Sequence, residues 1–250
     1  MSKQTWKPGN MLYPLPVVLV SVADKMGNSN LFTVAWTGTI CTNPPMVSIS
    51  VRPERYSYGM IEETGEFVIN LTNEALTYAT DYCGVRSGRD VDKWKETGLT
   101  PVPGEKTKAP MVAESPVNIE CRVVEKKELG SHSMFLAEVV AVHADEAYMD
   151  EAGRFSLNDA HPIVYSHGKY LAVGKELGSL ATVSRKNQSQ EMENKVRQNG
   201  TNDLTKPEKE SMIGIQNNIG KEKMLRRGST GAVMFRCFFY RKFLISSGKM

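Results

Sequence analysis

The 250-residue chain contains no apolar run approaching the roughly 18 residues of a membrane-spanning helix. Its longest early apolar stretch, Leu15 to Ala23, follows prolines and lacks a small-residue cleavage site, so no signal peptide is expected. The expected compartment is the cytoplasm. Cysteine is scarce: Cys41, Cys83, Cys121 and Cys237 are scattered, without a Cys-x-x-Cys. A disulfide framework or a zinc site is therefore not expected, and small buried apolar roles suit these residues better. Gly-x-Gly-x-x-Gly after a strand and Gly-x-x-x-x-Gly-Lys-Ser/Thr, the two common phosphate loops, are both missing. His161 and His167 have a spacing that fits neither one helix face nor a zinc motif, so no metal is assigned. There is no internal repeat and no regular strand–helix alternation, which speaks against a doubly wound parallel sheet.

The net charge of +3 is unevenly spread. Residues 1–186 carry 19 Lys and Arg against 22 Asp and Glu, a net of −3, while residues 187–250 carry 12 against 6, a net of +6. Overall charge is thus no argument for nucleic-acid binding by the first part. The second part is rich in Asn, Gln, Lys and Glu up to about Lys223 and ends in the aromatic cluster Phe235 to Tyr240. Such a composition rarely buries enough apolar surface to fold. The expected division is a domain over 1–186 and a basic, poorly ordered extension over 187–250.

Within 1–186 the pattern reads as strands joined by short turns. Pro16–Ala23, Asn30–Thr42, Met46–Arg52 and Glu66–Leu71 are β-rich, and Pro44-Pro45 must stop the second of them. Ser57–Thr64 reads as a short helix closed by Gly65. Glu74–Cys83 reads as another, capped by Thr72-Asn73 and stopped by Gly84. Residues 85–114 look like a long connection with three prolines, a length that is usually functional or disordered. Pro116–Lys127 and Met134–Ala144 form a hairpin around Glu128–Ser133, and Pro162–Tyr165 is a last strand. The expected fold is mainly β, an antiparallel barrel with short helices.

Two segments could carry chemistry. In Val51-Arg52-Pro53-Glu54-Arg55-Tyr56-Ser57 a strand runs into a helix, whose first turn offers unpaired N–H groups to an anion. Ser57 is then either a phosphate ligand or simply a helix cap. In Asn30-Leu31-Phe32-Thr33-Val34-Ala35-Trp36-Thr37-Gly38-Thr39, alternation puts Thr33, Ala35, Thr37 and Thr39 on one face. Small residues and hydroxyls there would let a flat ligand approach the backbone, and Gly38 permits a bulge. The alternative is an ordinary strand with a core tryptophan.

Asn30 through Asn70, with Ser87–Lys93, the Gly130-Ser131-His132 hairpin and His161–Tyr165, resembles the flavin reductase-like, FMN-binding split-barrel family. The resemblance implies a homodimer with flavin sites near the subunit interface. It places Asn30, Trp36, Ser57, Lys93, His132 and Tyr165 at FMN, where some members carry Thr and Phe instead of Ser57 and Tyr165. Lys93, Arg55, a hydroxyl and a helix start could neutralise the phosphate. Trp36, Tyr165 and the backbone of Thr37, Gly38 and Thr39 could serve the isoalloxazine ring. His132 alone would read as a solvent-facing turn residue. The resemblance makes it a candidate catalytic or binding residue, with contact to flavin, substrate or partner subunit left open.

The function this implies is an NAD(P)H:flavin oxidoreductase or flavoredoxin-type electron carrier. FMN is favoured over FAD, NAD(P)H would be a transient donor, and a redox protein or small molecule would be the acceptor. No separate acid or base is strictly required, because the flavin carries the electron chemistry. The rival is an FMN-binding carrier or sensor without nicotinamide activity. A nucleic-acid-binding role for the basic tail is a third reading.

Overall fold

The computed structural model describes residues 2–178. Packing groups Met1–Glu176 as one unit. The boundary expected near Lys186, the basic extension and its aromatic cluster lie outside the described residues. Among the described residues, no helix is long and apolar enough to cross a membrane.

The chain begins with β1 (Leu15–Pro16), β2 (Val18–Ala23), β3 (Ser29–Val34), β4 (Thr37–Cys41) and β5 (Met46–Val51). Helix α1 (Tyr56–Thr64) follows and ends at Gly65, whose left-handed φ of 68° lets its N–H reach the Ile61 carbonyl. Then come β6 (Glu66–Leu71), a 3-10 turn at Glu74–Leu76, α2 (Thr77–Val85) and α3 (Lys93–Thr97). The last elements are β7 (Pro101–Val102), β8 (Met111–Val112), β9 (Val117–Glu128), β10 (Ser133–Ala144), β11 (Ile163–Ser166) and β12 (Lys169–Ala172).

A seven-stranded antiparallel sheet runs in the order β3-β2-β6-β9-β10-β5-β4. Its two edge strands, β3 and β4, are consecutive in the chain, with only Ala35 and Trp36 between them. Two linking residues span about 10 Å at most, so the sheet has to curl until its edges approach. There the Ser50 N–H donates to the Trp36 carbonyl at 2.8 Å. The result is a barrel split at one seam. Register shifts between Thr39 and Cys41, and at two places along β9–β10, mark bulges that help the strands bend.

Alternation along the strands sorts two cores. Val18, Val20 and Val22 of β2 join Phe32, Ile49, Phe67, Ile69 and Phe135 inside the barrel, where Tyr58, Met60 and Ile61 of α1 also pack. Leu19 and Leu31 face the other way, against Leu76, Ala79 and Cys83 of the 3-10 turn and α2. Cys83 and Cys121 are buried and Cys41 is half-buried, so the first two have the small-apolar role expected of them.

Several boundaries depart from the sequence reading. The single strand expected over Asn30–Thr42 is two strands, because the chain crosses from one sheet edge to the other at Ala35-Trp36. Gly84 does not stop α2, which continues to Val85. A Cβ at Gly84 would lie 3.3 Å from the Thr33 Cβ, so the small residue instead lets the helix sit close to β3. The strand β12 was not anticipated.

Residues 99–115, part of the long connection, form an ordered strap laid over the outer face of β2, β6 and β9. Buried polar groups on that face bind its backbone. Asn70 accepts from the Val112 N–H and Asn118 donates to the Val112 carbonyl. The Ser21 hydroxyl donates to the Pro110 carbonyl. Glu120, fully buried, accepts from the N–H groups of Glu105, Lys106 and Thr107 and from the Thr107 hydroxyl. It also lies 2.7 Å from His143 Nε2. Burial pushes the Glu120 carboxyl up, but His143 and the backbone donors outweigh it and hold it at about 2.

Candidate functional site

Two cavities of about 550 and 470 Å³ adjoin at the barrel seam and share Phe32, Arg52 and Arg55. Together they form one trough with a basic end and an aromatic end.

The basic end lies where the β5–α1 turn, the start of β3 and the segment after α2 converge. Its lining includes Arg52, Arg55, Arg86, Arg89 and Lys93, against a single carboxylate, Glu54. Arg55 is the N-cap of α1 with no side-chain cap bond, leaving first-turn N–H groups open to an anion. Ser57 is not that cap. It is 1% exposed within the helix, and its Oγ accepts from Asn30 Nδ2 at 2.7 Å. Both residues line the cavity.

Arginine heads tie the walls together. Arg55 donates to the Gly84 carbonyl at 2.9 Å, and Arg89 donates to the Glu54 carbonyl at 3.2 Å while lying over the Tyr56 ring. Gly88 fits between Asn30 and Tyr56. A Cβ there would sit 2.7 Å from Asn30 Cγ and 2.7 Å from Tyr56 Cδ1, so only glycine lets this segment close the cradle.

Lys93 is the first residue of α3, whose start is capped by the Asp92 carboxylate accepting from the Trp94 and Lys95 N–H groups. Its side chain is 3% exposed. Nζ donates to the Leu31 carbonyl at 2.7 Å and the Cys83 carbonyl at 2.9 Å. Burial lowers its pKa to about 8; Cys83 opposes this and Arg55 adds to it.

The aromatic end brings together Phe32, Trp36, His132, Tyr165 and Tyr170 with the Thr33–Ala35 segment and Asn10 of the N-terminal arm. Trp36 is 41% exposed and lies nearly parallel to His132, with centroids 6.1 Å apart. The β9–β10 hairpin delivers His132 to this place: the Leu129 N–H donates to the His132 carbonyl at 2.9 Å and closes the turn. Burial, with Arg52 and Arg55, lowers the His132 pKa below its ordinary 6.5 against the opposing pull of Glu54, so the imidazole is neutral near pH 7. Tyr165, on β11, stands 6.1 Å from Tyr13 and 6.0 Å from Tyr170 between ring centroids.

The structure therefore brings Asn30, Arg55, Ser57 and Lys93 to one end and Trp36, His132 and Tyr165 to the other. Thr37, Gly38 and Thr39 line neither cavity. They belong to β4, beyond the crossing, and the Thr37 hydroxyl donates to the Ser48 carbonyl. Thr33, Val34 and Ala35, before the crossing, line the trough instead. Arg52, which flanks the anion turn, Gly88 and Arg89, within the family-like Ser87–Lys93 segment, and Arg86 beside it also line the basic end, although the sequence assigns none of them to the site. Tyr170 comes from the unanticipated β12. Among the described residues, no group of three His, Cys, Asp or Glu side chains could hold a metal.

The family model "Flavin reductase like domain" matches residues 10–174. The chain belongs to the flavin reductase-like family. With that membership goes the general class of flavin-binding oxidoreductase. Among solved structures, flavoredoxin of Desulfovibrio vulgaris (Miyazaki F) is 33% identical with a TM-score of 0.69, covering 73% of this chain and all of that one. Flavoredoxin from Methanosarcina acetivorans is 31% identical with a TM-score of 0.66, covering 74% of this chain and 99% of that one. An uncharacterised protein of Aeropyrum pernix is 33% identical over 156 residues, 62% of this chain and 58% of its own length. The split-barrel seam and the trough of this flavin reductase-like chain both fall inside the matched region.

Proposed function

We propose that the trough holds FMN, with the phosphate at the basic end and the isoalloxazine ring at the aromatic end, and that the protein passes electrons between NAD(P)H or a redox partner and an acceptor. The observation that carries this reading is the polarity of the trough: Arg86, Arg89 and Lys93 at one end, Trp36, Tyr165, Tyr170 and the neutral His132 imidazole at the other, with Arg52, Arg55 and Phe32 shared where the two meet. The residues suit the group. A phosphate of nearly two negative charges finds Lys93, Arg55, the Ser57 hydroxyl and an uncapped helix start. A flat ring finds Trp36 and Tyr165 as walls and the Thr33–Ala35 backbone as an edge.

When bound, FMN supplies the hydride and electron chemistry. The protein's side chains bind and orient it. Ser57 and Lys93 anchor one end, and Asn30 sets the Ser57 hydroxyl by donating to it. His132, neutral near pH 7, offers a ring N–H or lone pair at the hairpin tip, with Ser131 Oγ 2.9 Å from its Nδ1. A homodimer belongs to the same proposal. Exposed Met11 and Leu12 line a further cavity of about 400 Å³ together with Trp36, an apolar surface beside the trough of the kind a second subunit would cover. So does a cytoplasmic setting, where nicotinamide donors are available.

The test is direct. Freshly purified protein should be yellow, release FMN rather than FAD on denaturation, and oxidise NADH or NADPH in the presence of an electron acceptor. Bound flavin without oxidation of either nicotinamide would leave a flavin-binding carrier or sensor and remove the reductase.

A further inference from the structure

Lys93 stands apart from the four arginines around it. Its ammonium is buried, and its two acceptors are neutral carbonyls on different elements, Leu31 of β3 and Cys83 of α2. None of the ion pairs among the described residues includes it. A lysine ammonium has three N–H donors, and the residue lines the basic cavity, so one donor remains for a ligand there. We propose that Lys93 determines specificity for phosphorylated flavin by taking up a proton as the phosphate binds, so that preference for FMN over riboflavin fades as the solution becomes alkaline. This rests on the FMN reading given above.

The physical reason is the environment on every side of the amine. The β5–α1 turn presents Arg52, Arg55 and Glu54, and the segment before α3 presents Arg86, Arg89, Asp90 and Asp92. Helix α2 presents the Cys83 thiol and carbonyl, and β3, which carries no charged side chain, presents the Leu31 carbonyl. Arginine and carboxylate side chains do not change charge between about pH 7 and pH 9. Burial pushes the Cys83 thiol up to about 11, so it stays neutral in that range. A flavin phosphate loses its second proton around pH 6, so it is mostly a dianion from about pH 7 upward. Lys93, lowered to about 8 by burial, is the group that titrates in the window. An incoming dianion favours its charged form, so binding and protonation help each other. Riboflavin, which has the same ring and no phosphate, gives Lys93 no such reward.

Flavin fluorescence titrations of the full-length chain with FMN and with riboflavin provide the test. Between about pH 7 and pH 9 the FMN Kd should rise about tenfold, while the riboflavin Kd changes less than about twofold. Calorimetry at about pH 9, in two buffers of different ionisation heat, should show close to one proton taken up per FMN bound. The calorimetric arm uses the unaltered chain and depends on no variant folding. Lys93→Met should abolish both the proton uptake and the pH dependence. Parallel pH curves for FMN and riboflavin, or FMN binding without proton uptake, would overturn the inference and leave the FMN reading standing. Failure of FMN to bind at about pH 7 would overturn that reading itself.

Discussion

At the basic end of the trough the side chains are fixed by hydrogen-bond partners on other elements, whereas at the aromatic end Trp36, His132 and Tyr165 lean on neighbouring rings and Tyr170 is the ring tied to another element, donating to Asp81. Lys93, Arg55 and Asn30 each bond to an atom remote in sequence. Trp36 meets His132, and Tyr165 meets Tyr13 and Tyr170, at ring separations near 6 Å, beside an N-terminal arm and a hairpin tip. The difference indicates a division of labour. A charged group needs donors already in place, because reorganising them would consume the binding energy. A flat ring whose face must be reached by an electron donor needs walls that can shift and an open side.

If this division holds, truncating Lys93 has the largest effect at the site. Lys93→Ala should weaken FMN binding by about 1.5–3 kcal/mol, the loss of a charge-assisted bond, seen as a ten- to hundredfold rise in Kd by fluorescence titration. Riboflavin binding should move far less, and an equal loss for both ligands would break the comparison.

Glu120→Gln, on the strap side of the barrel, tests stability apart from the site. It should lower the unfolding free energy by about 1.5–3 kcal/mol in urea while leaving the FMN Kd near its original value at neutral pH. Glu120 has a folded pKa of about 2 against an ordinary 4.5, so its contribution is fully present above about pH 4.5. That contribution is lost as pH falls from there towards 2. Acid unfolding curves of the variant and the parent should therefore converge in that range.

Trp36→Ala should cost FMN and riboflavin alike, by roughly 1 kcal/mol each, because an aromatic wall serves the ring whatever its substituent. A loss confined to FMN would reverse the assignment of the two ends. The smallest effect belongs to Thr39→Val. Thr39 lies on β4 outside both cavities, so its flavin affinity should stay within about 0.5 kcal/mol of the parent.

Periodicity and punctuation made much of the barrel legible. The alternation of Val47, Ile49 and Val51, the Gly65 stop and the β9–β10 hairpin all reappear. What periodicity could not reveal was where a strand changes edge. Ala35-Trp36 continues the β pattern of its neighbours, yet it is where the barrel splits, and so Thr37–Thr39, expected at the flavin ring, fall on β4 and line neither cavity. The strap was illegible for another reason. Its partners, Asn70, Asn118 and Glu120, sit on strands distant in sequence, and a carboxylate within a β-rich run gives no sign of what it binds. At the site, the resemblance pointed to Asn30, Ser57 and Lys93. The arginine cluster of residues 86–89 became visible only when folding carried it against the β5–α1 turn.

The orientation of one ligand decides what each end of the trough does. A crystal structure of the protein with FMN measures it directly: the phosphate should lie within about 3 Å of Lys93 Nζ and Ser57 Oγ, with the ring against Trp36 and Tyr165. A ring seated among Arg86, Arg89 and Lys93, or FMN bound outside the trough, would contradict it.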